Sequence, residues 1–181
     1  MAQVSVDGLD LEYETRGSET GQPLVLVGLG TQLISWPDSL VDGLVARGFR
    51  VVMFDNRDAG LSTAFDSAGP ADLKAAFAAA RAKQPVPAPY TLEDMADDVA
   101  RLLDGLGIPA AHIVGSSNGG AIAQLVAIRH PKRVLSLVSV MATSGRRGLP
   151  RPTEAAGAWL GKQRKPELTR EEFMEEAVDT A

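Results

Sequence analysis

The 181 residues include 18 lysines and arginines against 23 aspartates and glutamates, for a net charge of −5, and 45% of them are hydrophobic. That is the balance of a globular chain able to bury a core, with no basic footprint for nucleic acid or an anionic membrane. There is no cysteine and there are only two histidines, which excludes disulfides and thiolate metal sites and leaves little for a histidine-based one. No charged segment followed by an apolar run opens the chain, and no run approaches membrane-spanning length, so cytoplasmic residence is expected.

Taken in order, Gln3–Gly8 and Leu11–Arg16 alternate apolar and polar residues about Asp7-Gly8, the pattern of an antiparallel hairpin. Pro23–Val27 is continuously apolar, as a strand buried on both faces requires, and it runs into the glycine loop Gly28-Leu29-Gly30. Trp36-Pro37 is expected to start a helix whose apolar face is Leu40, Leu44 and Val45, closed by Gly48. Arg50–Phe54 reads as the next strand, leading into Asp55-Asn-Arg-Asp-Ala-Gly-Leu-Ser62. An alanine-rich helix over about 71–82 precedes Pro85-Val-Pro-Ala-Pro89, an extended segment. The best helix follows. Thr91 and Asp94 form its capping box, and Leu92, Met95, Val99, Leu102, Leu103 and Leu106 repeat at helical spacing. The strand His112–Val114, a glycine-rich turn, the helix Ala121–His130 and the strand Arg133–Met141 complete the core. Beyond Ser144-Gly145 the rhythm changes, and short helices are expected near 154–160 and 168–178. The order β-β-β-α-β-α-β-α-β predicts an α/β fold with a mostly parallel, doubly wound sheet.

Two glycine loops carry the functional signal. Residues 115, 117 and 119 read Gly-x-Ser-x-Gly between a strand and a helix, the spacing of a nucleophile elbow. Chance supplies such a match in roughly one chain of this kind in ten, so its surroundings decide its weight. A rival reading takes Gly28, Gly30 and Asp55 as a dinucleotide-binding fingerprint. Against it, Leu33 stands at the third glycine position, the helix starts several residues after the glycines, and a hairpin precedes the strand.

Four features recur in order: Gly28-Leu29-Gly30, Trp36-Pro37, the segment Asp55–Ser62, and the Gly115–Gly119 turn with its helix and His130-Pro-Lys-Arg-Val134. On these, the chain resembles the N-terminal two-thirds of an α/β-hydrolase fold enzyme of the esterase/lipase type, similar to aclacinomycin-methylesterase-like members. The resemblance covers about residues 4–145. It implies Ser117 as nucleophile, backbone N–H groups of Leu29 and Asn118 as the oxyanion hole, and a helical cap beginning in residues 146–181 after the core of residues 1–145. It implies no metal and no organic cofactor. Two departures stand out: Asn118 follows the serine where the family often has Met, and Val27 stands where many relatives carry His.

A serine hydroxyl needs a base, usually a histidine oriented by a carboxylate. His130 lies along the following helix at about 18–20 Å, and His112 lies toward the far end of the strand at about 16 Å. Neither meets the ~3 Å reach of a general base. The expected protein is therefore a serine hydrolase of small-molecule carboxylic esters lacking its C-terminal third, inactive or weak alone. Its sixth strand would be an exposed edge, so self-association or a complementing C-terminal fragment is expected. Alternatives are a non-catalytic binding domain on the same scaffold and a haloperoxidase-like member of the fold. Among other residues, Asp55, Arg57 and Asp58 read as structural, with Arg57 tying its turn. Asp94, Asp97 and Asp98 read as solvated, dipole-stabilising carboxylates. Trp36 reads as core packing, and Trp159 and Leu160 as the apolar face of the cap.

Overall fold

The computed structural model of the protein describes residues 1–28, 32–146, 148–150 and 153–160. Two compact units divide it, Met1–Ser144 and Gly145–Ala181. In the first, β1 (Ala2–Val6) and β2 (Leu9–Arg16) form the hairpin, turning at Asp7 and Gly8, both at positive φ. β3 (Gln22–Val27), α1 (Asp38–Val45), β4 (Phe49–Phe54), α2 (Leu73–Ala82) and α3 (Leu92–Gly105) follow. β5 (Ala111–Ser116), α4 (Asn118–Arg129) and β6 (Val134–Val140) complete this unit. Within the described part of the second unit lies one helix, α5 (Glu154–Leu160).

The six strands form one sheet in the order β1-β2-β4-β3-β5-β6. β2 is antiparallel to β1 and β4, whereas β3, β4, β5 and β6 run parallel. From β3 the chain passes to β4 on one side and, later, β5 takes the other. Such a reversal opens a crevice at the C-terminal ends of the two central strands.

The period of two along each strand builds two cores. Leu24 and Leu26 of β3 and Val51 and Met53 of β4 face α1, where Leu33, Val41 and Trp36 cover them. Val25, Val27, Val52, Phe54 and Ile113 face the other way, onto α3 and α4. Met95, Ala96, Val99, Leu102 and Leu103 of α3 are buried there, each large side chain contributing about 1.5–3 kcal/mol. Thr91 and Asp94 form a reciprocal capping box at its start.

Three local expectations change. The first α-helix begins at Asp38 with Pro37 as its N-cap, preceded by a 3-10 turn at Leu33–Ser35. Its buried residue is Val41, with Leu44 and Val45 partly covered, while Leu40 faces solvent. Asp98 is not solvated: it is 1% exposed and paired with Arg57. A helix anticipated over 168–178 lies outside the described residues.

β6 is the sheet's other edge. Leu135, Leu137, Val138 and Val140 are all exposed, Leu135 at 55%. No helix among the described residues is long and apolar enough to cross a membrane.

Candidate active site

Ser117 stands between β5 and α4 at φ 55° and ψ −123°. A non-glycine residue held there costs on the order of 1–3 kcal/mol, tolerated only where the surroundings enforce it. The enforcement is visible. The Ser117 N–H donates to the Val140 carbonyl at 2.8 Å, and the Ser117 carbonyl accepts from the Gly120 N–H at 3.0 Å. The side chain is exposed at the C-terminal edge of the sheet.

Three glycines let the turn close. A Cβ on Gly115 would strike the Gly119 carbonyl and lie 2.8 Å from the Ala123 Cβ. One on Gly119 would strike the Val27 carbonyl and lie 3.0 Å from the Gly28 carbonyl carbon. A Cβ on Gly120 would meet Ala142 and lie 3.0 Å from Ser139 Oγ. Gly119 thus seats the first turn of α4 directly against the end of β3. The N–H of Asn118, at the first position of α4, has no acceptor within the helix, so it is available to an anion placed before it.

The loop after β4 supports the other side. Asp55, Asn56, Arg57 and Ser62 are all buried. Asp55 Oδ1 accepts from the Leu33 N–H at 2.6 Å, and Oδ2 from the Leu61 N–H at 3.0 Å. The side-chain amide of Asn56 donates to the Gly28 carbonyl. Arg57 makes a two-pronged pair with Asp98 of α3, both contacts at 2.6 Å, and its guanidinium lies 5.3 Å and 5.0 Å from the Phe65 and Tyr90 ring centroids. Arg57 therefore ties the loop to α3, and the turn itself is tied by Asp55. Burial and then the neighbouring Asp58 push the Tyr90 hydroxyl up to about 12.

Both histidines are occupied elsewhere. His112 Nδ1 is 2.8 Å from Ser136 Oγ and Nε2 is 3.2 Å from Gln22 Oε1, at the start of the strands. His130 Nε2 is 2.7 Å from Asp97 Oδ1, and Asp97 also receives both prongs of Arg129. Arg129 and then His130 hold the Asp97 carboxyl down at about 2. Ser117 and Asn118 are thus brought together at the crevice. Leu29 lies outside the described residues, as do the side chains of Trp159 and Leu160.

The sequence model of the α/β hydrolase fold matches residues 24–173. The chain belongs to the α/β-hydrolase family. Among curated relatives, the rhodomycin D methylesterase of Streptomyces peucetius is 31% identical over 97% of this chain and 59% of its own length. Of solved structures, the enol-lactonase of Burkholderia xenovorans LB400 superposes with a TM-score of 0.62 at 27% identity, over 79% of this chain and 47% of its own. A carboxylesterase of Nitrososphaera gargenis gives 0.61 at 26% identity, over 79% and 46%. The chain therefore spans about half to three-fifths of these α/β-hydrolases. What sequence reasoning missed in this hydrolase core is Asn56 and the Asp98 partner of Arg57. The Asp55–Ser62 motif was in view, but nothing in the spacing of 57 and 98 announces their contact.

Proposed function

We propose that the chain is the serine-bearing part of a hydrolase of small-molecule carboxylic esters. The observation that carries this is the strained, exposed Ser117 at the sheet crevice, with glycines on both sides that a side chain would block. Ser117 attacks the ester carbonyl, and the N–H groups of Asn118 and Leu29 receive the developing oxyanion. Fixed backbone dipoles suit this because they need no reorganisation, each worth about 3 kcal/mol. The alcohol then leaves, and water hydrolyses the acyl-serine to release the acid. Residues 146–181 are the beginning of a helical cap in our reading. The similarity to a methylesterase and to a carboxylesterase supports the ester class.

The base comes from outside this chain, because both histidines are committed at other places. The 181-residue chain is therefore expected to hydrolyse p-nitrophenyl acetate no faster than its Ser117→Ala variant. Complementation with a C-terminal fragment that supplies an acid and a histidine should restore turnover, again only with Ser117 present. Rapid Ser117-dependent turnover by the chain alone would disprove the external base. The absent base also favours a second reading, a non-catalytic binding domain. It predicts ester binding without turnover in the complemented protein and no fluorophosphonate labelling of Ser117.

A further inference from the structure

Among the described residues, Asp7, Asp58, Lys83, Ser117 and Met141 take a positive φ without being glycine. All but Met141 have a local reason. Aspartate tolerates this region because its short polar side chain bonds nearby backbone, as Asp58 does in accepting the Phe65 N–H at 2.6 Å. Asp7 turns the hairpin, Lys83 closes α2 as a left-handed cap, and Ser117 is the elbow. Met141, at φ 51°, shares none of these reasons, and glycine would stand there without strain. It is also 81% exposed, more than any other large apolar side chain described. A strained backbone that presents a long apolar side chain to solvent points to a use outside the core.

Its position gives the use. β6 runs parallel to β5 with Val140 opposite Ser116, so Met141 comes level with Ser117. The residues on either side are tied to the elbow. The Val140 carbonyl accepts the Ser117 N–H at 2.8 Å, and Ala142 fills the space that a Cβ on Gly120 would need. Just before them, Ser139 Oγ donates to the Gly120 carbonyl at 3.3 Å. Consecutive Cα atoms are about 3.8 Å apart, so Met141 sits within one such step of both anchors. We infer that Met141 is a specificity-determining residue: it packs against an apolar acyl group carried on the Ser117 oxygen. The acyl group stays bonded to the serine after the alcohol has left, so a side chain fixed beside Ser117 meets it throughout. Unbranched and flexible, a thioether side chain adapts to a straight acyl chain of several carbons. The inference rests on the esterase reading for the acyl-serine, and on the contacts of β6 with the elbow for the place of the side chain.

The test uses the 181-residue chain with methylboronic and hexylboronic acids as probes. The serine oxygen adds to boron, its proton goes to buffer, and the tetrahedral anion that results carries its alkyl group in place of an acyl chain. Boron NMR reads the adduct. The parent should bind hexylboronate about tenfold or more tightly than methylboronate. Met141→Ala and Met141→Gly should each lose most of that preference and keep the parental affinity for methylboronate. Both variants keep the fold, since they remove an exposed side chain and, with glycine, the strain as well. Equal affinities in the parent, or the parental ratio in either variant, overturn the inference. If the parent forms no adduct, or Ser117→Ala forms the same one, the esterase reading fails instead. The methyl resonance of Met141, identified by its loss in Met141→Leu, then decides alone. It should shift with methyl hexanoate and not with methyl acetate, and the same response to both esters overturns the role of Met141.

Discussion

Ser117 stores backbone strain that the surrounding bonds hold in place. Replacing it with glycine removes most of that strain at some cost in unfolded-chain entropy. Ser117→Gly should therefore be more stable than the parent by about 1 kcal/mol, a rise of about 2–4 °C in thermal melting for a chain of this size. An unchanged or lower melting point would show that the turn carries no such strain. The buried Arg57–Asp98 pair behaves in the opposite sense. Asp98→Ala leaves a guanidinium almost without solvent, and a loss of about 3–5 kcal/mol is expected from urea unfolding. Two titrations have signs that follow from their surroundings. Tyr90 is raised from 10 to about 12, so its contribution is complete below pH 10 and lost as the pH climbs toward 12. Asp97 is lowered to about 2, so its contribution is complete above about pH 4 and lost as the pH falls toward 2. Tyr90→Phe should remove the first dependence, and Asp97→Asn the second, in melting curves taken across pH.

At the scale of elements, the join of β5 to α4 depends on bare backbone. Gly115→Val would force a branched side chain against Gly119 and Ala123, and a loss of about 1–3 kcal/mol or more is expected in the same unfolding experiment. The strands and the long helix α3 were legible because their apolar residues follow periods of two and of about three and a half, and because Thr91 and Asp94 mark a cap. The elbow was legible because a strained turn leaves glycines at fixed spacing. The α1 face was less so. Leu40, Leu44 and Val45 fit a stripe, but the face that packs inward is Val41, Leu44 and Val45, which leaves Leu40 in solvent. Asp98 was misread because charge next to a helix start suggests solvent, and only the fold brings Arg57 to it. Asn56 carried no signal, since a donor to a distant carbonyl leaves no pattern along the chain.

For the whole molecule, the sheet has two unlike edges. β1 is short and belongs to a hairpin, while β6 exposes Leu135, Leu137, Val138 and Val140. A flat apolar strand with unpaired backbone is a template for pairing with another chain. The 181-residue chain is expected to self-associate in sedimentation, and Leu137→Lys should shift it toward monomer. A compact monomer at high concentration would refute this.

The strand order also has a kinetic consequence. Gln22 at the start of β3 and His112 in β5 are hydrogen-bonded across a separation of 90 residues. β5 cannot join β3 until the hairpin, β4, α2 and α3 have left the ribosome, so the crevice forms late and by a long-range closure. Chains dominated by such pairings fold slowly. A mutation that weakens the β3–β5 contact should thus prolong the interval in which half a sheet, with β3 as its bare apolar margin, is open to chaperones and proteases.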